Sequence, residues 1–107
     1  ALAENSIGTE AYKPSEILYS HNGLSVEILN TDAEGRLMLA DAMSYVQKEL
    51  GCKKMVELST LTGAIMASLG VKTGGLFCND RQLASQLLAS AQNRKFLLFV
   101  KNLFISF

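Results

Sequence analysis

The chain has 107 residues, 49% of them hydrophobic and 19% charged, and ten basic side chains balance ten acidic ones. That composition excludes a disordered chain, which needs low hydrophobicity and high net charge, and it disfavours a strongly basic nucleic-acid binder. The length suits one small domain or a piece of a larger one. The balance is uneven along the chain: every acid lies at or before Asp80, and only Arg81, Arg94, Lys95 and Lys101 follow it. Phe is skewed the same way, with Phe96, Phe99, Phe104 and Phe107 crowding the end.

In chain order, no basic-then-apolar leader opens the sequence, so no secretory signal is expected. Pro14 biases Lys13 toward extended backbone, and Asn22-Gly23 marks a turn that opens a strand or joins a hairpin. Leu24, Val26 and Ile28 alternate with Ser25 and Glu27, which predicts a strand over 24–29. From Arg36 to Leu50 the positions Leu39, Ala42, Met43, Val46 and Leu50 follow helical spacing, and Gly51 is placed to end that helix in a left-handed cap. Leu37, Met38, Ala40 and Tyr45 make it apolar over much of its circumference, so it needs neighbours on more than one side. A second short strand is expected over 54–59, an apolar turn or helix from Thr62-Gly63-Ala64 to Gly70, and a third strand over 73–78. Asn79-Asp80 offers an N-cap for a helix carrying Leu83, Leu87, Leu88 and Ala91. The alternation of strand and helix predicts an α/β fold. Cys52 and Cys78 are expected to be small buried hydrophobes in a reducing compartment, and the four methionines are expected to pack in the core. The apolar tail is too short to span a bilayer.

The chemistry concentrates in Asn30-Thr31-Asp32-Ala33-Glu34-Gly35-Arg36, after a strand and before a helix, where α/β proteins place ligand-binding groups. In an extended segment the carboxylates of Asp32 and Glu34, two apart, point to the same side and can hold or bridge divalent cations. Arg36 near a helix start suits an anion. The same residues also fit a plain helix start, with Asp32 as the cap and Glu34 near the positive end of the dipole. Elsewhere, Lys72-Thr73-Gly74 has no S-x-x-K partner motif. His21 is the only histidine, which rules out a His-based triad within the chain and leaves it as a turn residue.

The stretch N-T-D-A-E-G-R-L, Asn30 to Leu37, resembles the signature of the leucyl aminopeptidase family of cytosolic metallopeptidases. Thr60-Leu61-Thr62-Gly63-Ala64 is similar to a second family block, and Gly75-Leu76-Phe77 with Asn79-Asp80 to a third. Glu4-Asn5 and Ala11-Tyr12-Lys13-Pro14 fit the segment upstream. The resemblance runs over 1–92, which is read as part of a mixed-sheet α/β catalytic domain with helices packed on the sheet. Residues 93–107 form an apolar, Phe-rich tail without it, read as an alternative ending or translated non-coding sequence in preference to a genuine strand or helix.

The resemblance implies a metalloaminopeptidase that releases N-terminal leucine and other apolar residues from peptides with a free N-terminus. It implies two divalent ions, zinc or manganese, bound in part by Asp32 and Glu34, with Glu34 as the bridge. It further implies Arg36 as the active-site arginine that holds a bicarbonate, and Thr60, Leu61 and Gly63 as substrate-lining residues. A cytoplasmic homo-hexamer follows from the same likeness, with no nucleic-acid or membrane partner. The family's other ligands, a lysine and two aspartates, and its catalytic lysine have no counterpart here, and Asp41 is a helix residue of the signature block. The chain is therefore expected to be an incomplete fragment, inactive in isolation. The competing expectation is a non-catalytic remnant that binds partners or a metal weakly.

Overall fold

The computed structural model describes residues 3–4, 7–94 and 97–102. They fall into two compact units, Ala1–Leu61 and Thr62–Phe107.

In the first unit, β1 (Ile17–Tyr19) and β2 (Ser25–Glu27) pair antiparallel, with Leu18 opposite Val26. The pairing continues past the strand ends through Ile28 N–H to Glu16 O at 2.8 Å and Ser15 N–H to Ile28 O at 2.7 Å. Asn22-Gly23 forms the expected turn, closed by Ser20 N–H to Leu24 O at 2.8 Å. The partner strand β1 was not anticipated, since Ile17-Leu18-Tyr19 is too short to show a period. A 3-10 turn at Thr31–Ala33 leads into helix α1 (Glu34–Lys48), two residues ahead of the expected start. Gly51 closes it at φ +64°, a left-handed conformation that a side chain resists.

Residues 54–59, expected as a strand, have no regular structure and are exposed. A strand exists only by hydrogen-bonding laterally, and no described strand pairs with this segment. The same lack of cover leaves α1 without a buried residue. In this unit the buried apolar side chain among those described is Ile28.

In the second unit, α2 (Ala64–Leu69), β3 (Thr73–Cys78), α3 (Arg81–Asn93) and β4 (Leu97–Asn102) follow in order. β4 pairs parallel with β3, Thr73 opposite Leu97 through Cys78 opposite Asn102. Parallel strands need a crossover, which α3 supplies while lying against both. The region beyond 92 thus contributes backbone to a βαβ unit, while 95–96 and 103–107 lie outside the described residues. The fold is mixed α/β with helices on the sheet, as expected. Ala84 and Ala91 of α3 are buried.

Asp80 caps α3 as expected, its Oδ1 accepting from the N–H groups of Gln82 at 2.8 Å and Leu83 at 3.0 Å. Asp80→Ala is expected to lower the stability of this unit by about 1 kcal/mol, seen as a lower urea midpoint in far-ultraviolet circular dichroism.

Two packing expectations are corrected. Met43, Met55 and Met66 are exposed, because the faces that carry them have no cover within the described residues. Cys52 is exposed and Cys78 only half-buried, both as free thiols. No helix among the described residues is long and apolar enough to cross a membrane.

Candidate functional site

The signature stretch occupies the corner between β2 and α1. Asn30 has extended backbone, and its side-chain oxygen accepts the Asp32 N–H at 2.9 Å, so the chain begins to coil at Thr31. Ala33 N–H donates to Asn30 O at 3.2 Å, and the turn passes directly into the helix. The corner is also tied to the upstream segment by the Tyr12 hydroxyl, which donates to Thr31 O at 3.2 Å.

This changes the expected geometry of the two carboxylates. Asp32 and Glu34 stand on a coiled backbone, where side chains two apart do not face each other, and not on an extended one. The cap at Asn30 is the physical reason. Nor does Asp32 cap α1: Asn30 caps the 3-10 turn, and the residue before the helix, Ala33, offers no side-chain cap. Glu34 does lie in the first helical turn, near the positive end of the dipole. Asp32 and Arg36 are exposed and Glu34 is half-buried. Arg36 is in the same first turn, where a guanidinium and the helix N-terminus together favour an anion.

Leu61 joins this corner. Its Cδ1 lies 3.3 Å from where a Cβ on Gly35 would stand, so the glycine between Glu34 and Arg36 makes room for a leucine 26 positions later. Thr60 precedes it in exposed, irregular chain. Gly63 belongs to the second unit, where its carbonyl starts α2 by accepting from Met66 at 3.1 Å and Ala67 at 3.2 Å. Sequence reasoning missed the packing of Leu61 on Gly35, and the glycine within an acidic helix start was the available signal. It also passed over Asp41, whose carboxylate holds the hairpin turn.

For metal binding, Asp32 and Glu34 have suitable hard oxygens. Among the described residues, however, no group of three or more His, Cys, Asp or Glu comes together. The pair fits part of a divalent-cation site and does not amount to one alone.

Residues 1–97 match the model of the cytosol aminopeptidase family, catalytic domain. The chain is 45% identical over 93 residues to a probable cytosol aminopeptidase of Fusobacterium nucleatum, covering 87% of this chain and 20% of that protein. It is 47% identical over 105 residues to one of Wolbachia pipientis, covering 95% and 21% respectively. A solved structure of a mutant tomato leucine aminopeptidase matches with a TM-score of 0.87 at 40% identity, over 95% of this chain and 20% of that one. The chain thus spans about a fifth of the length of these relatives. With a family match over most of its length and a solved member sharing its fold, the chain belongs to the cytosol aminopeptidase family, within the catalytic domain.

Proposed function

We propose that the protein is a metal-dependent aminopeptidase that releases N-terminal residues, leucine and other apolar ones preferentially, and that this chain carries part of its active site. The observation that supports it most is the corner itself: Asp32, Glu34 and Arg36 are presented within one coiled stretch at a helix start, in a chain of this family.

In this reading Asp32 and Glu34 would supply oxygen ligands to divalent ions, zinc or manganese. Such ions, when bound, make water a strong nucleophile near neutral pH. Arg36 holds a carbonate-class anion at the helix start, using its fork of donors and the dipole. Leu61, seated against Gly35, offers an apolar surface beside the carboxylates, and Thr60 contributes backbone groups to substrate. A substrate with a free N-terminus and a cytoplasmic location belong to the same proposal, supported by family membership and by the relatives' descriptions as cytosol aminopeptidases; assembly as a homo-hexamer is proposed with them on the sequence resemblance alone.

Among the described residues no group of three or more His, Cys, Asp or Glu comes together, which supports incomplete metal binding by them alone. With added manganese or zinc, this chain is expected to show no hydrolysis of a leucyl amide. Turnover by the chain itself that disappears in Asp32→Ala would show that it holds a complete site, and would overturn that part of the reading.

A further inference from the structure

β2 and α1 are two arms that meet at the Asn30–Ala33 corner. From the corner β2 leads back to the hairpin turn, and α1, with 15 residues, extends about 22 Å. At their far side the arms are tied again. The His21 backbone N–H, in the hairpin turn, donates to Asp41 Oδ1 at 2.9 Å. The His21 ring lies with Nδ1 2.9 Å from Ser44 Oγ, in a T-shaped contact with the Tyr45 ring with centroids 5.6 Å apart, and with Nε2 3.9 Å from Glu49 Oε1. Two successive turns of α1 and its C-cap residue Glu49 therefore face one turn residue.

We propose that Asp41, with His21 and Ser44, is a positioning group for Asp32 and Glu34. Two arms joined at one end can open and close, while two arms joined at both ends hold one angle. The corner between them carries both carboxylates, so fixing the angle fixes the direction in which they are presented. The corner's own supports are local: the Asn30 cap, the Ala33 N–H bond to Asn30 O, the Tyr12 hydroxyl and Leu61 against Gly35, and Asp32 is exposed. Asp41 is half-buried and spends its carboxylate on a backbone N–H twenty positions away. A charged acceptor makes that bond stronger than a neutral one. The proposal rests on the reading of Asp32 and Glu34 as metal carboxylates, and two separate readouts distinguish them.

The test uses the 107-residue chain in solution. Amide hydrogen exchange is read at Asp32 and Ala33, whose N–H groups are bonded within the corner, and at Leu39 in mid-helix. Asp41→Ala is expected to speed exchange at the corner about fivefold relative to Leu39, the effect of losing one hydrogen bond. Asp41→Asn, which keeps an oxygen acceptor for the His21 N–H, is expected to restore it. Paramagnetic broadening of the Asp32 and Glu34 amides by Mn2+ should weaken in Asp41→Ala and recover in Asp41→Asn. Corner exchange within about twofold of the parent, equal acceleration at Leu39, or failure of Asp41→Asn to restore would overturn the clasp. Absence of saturable Mn2+ broadening in the parent chain would agree with the incomplete metal binding expected of these residues alone, and the exchange comparison then decides the clasp.

Discussion

Asp32→Ala and Glu34→Ala, each placed in a protein of the relatives' full length that carries these residues, are expected to lower metal-dependent hydrolysis of a leucyl amide about a thousandfold, because a metal ion contributes several kcal/mol and each 1.36 kcal/mol is tenfold in rate. The loss should be separable from misfolding. Asp32 is exposed, and surface substitutions of that kind change stability by under about 0.5 kcal/mol. Glu34 is half-buried in the first turn of α1, so neutralising it forfeits a favourable dipole interaction of about 0.3–1 kcal/mol. Neither figure approaches the roughly 4 kcal/mol that a thousandfold loss represents. Glu34→Gln sharpens the comparison, since it keeps the shape and the helix propensity and removes only the charge. It is expected to be nearly as inactive as Glu34→Ala. Full activity in both Asp32→Ala and Glu34→Ala, with melting curves like the parent's, would end the assignment of these carboxylates to the metal site.

What was legible in the sequence was what is decided locally. The α1 stretch formed because helical spacing from Leu39 to Leu50 and Gly51 at the end agree with each other. The α3 helix formed because Asp80 stands at its head with suitable spacing behind it. The misreadings share a different cause. Residues 54–59 are a short strand candidate by sequence, but a local stretch says nothing about whether a lateral partner is present, and among the described strands there is none. β1 is visible only through its register with β2, and β4 only through parallel pairing with β3 across the whole of α3. At the site, the placement of Asp32 and Glu34 before a helix was readable, whereas their relative direction was not. A single hydrogen bond from the Asp32 N–H to the Asn30 side-chain oxygen accompanies the turn of the backbone from extended to coiled. The contacts of Asp41 with His21 and of Leu61 with Gly35 span twenty or more positions, and neither residue has a periodicity that points to its partner.

The second large effect tests the packing of the other unit. Gly75, in β3, faces α2 so closely that a Cβ there would stand 2.5 Å from Ile65 Cδ1 and 3.3 Å from Ile65 Cγ1. Phe77, two residues on and so on the same face of the strand, lies 3.5 Å from the same point. Gly75→Val therefore sets two opposed tendencies against each other. Valine suits an extended backbone better than glycine, by up to about 1 kcal/mol. Its branched side chain, however, must displace Ile65, and with it the six-residue helix α2, at a cost of about 1–3 kcal/mol for overpacking. The second term is larger, since the clash reaches Cγ1 and not merely the terminal methyl that can rotate away. A net destabilisation of about 2 kcal/mol is expected, read as a lower urea midpoint. The cause can be isolated with Ile65→Ala, which removes the colliding carbons. In the double variant the valine should cost at least about 1 kcal/mol less than it does alone, the coupling expected of residues in direct contact. Strictly additive effects of the two substitutions would mean that α2 is not held against β3 at Gly75.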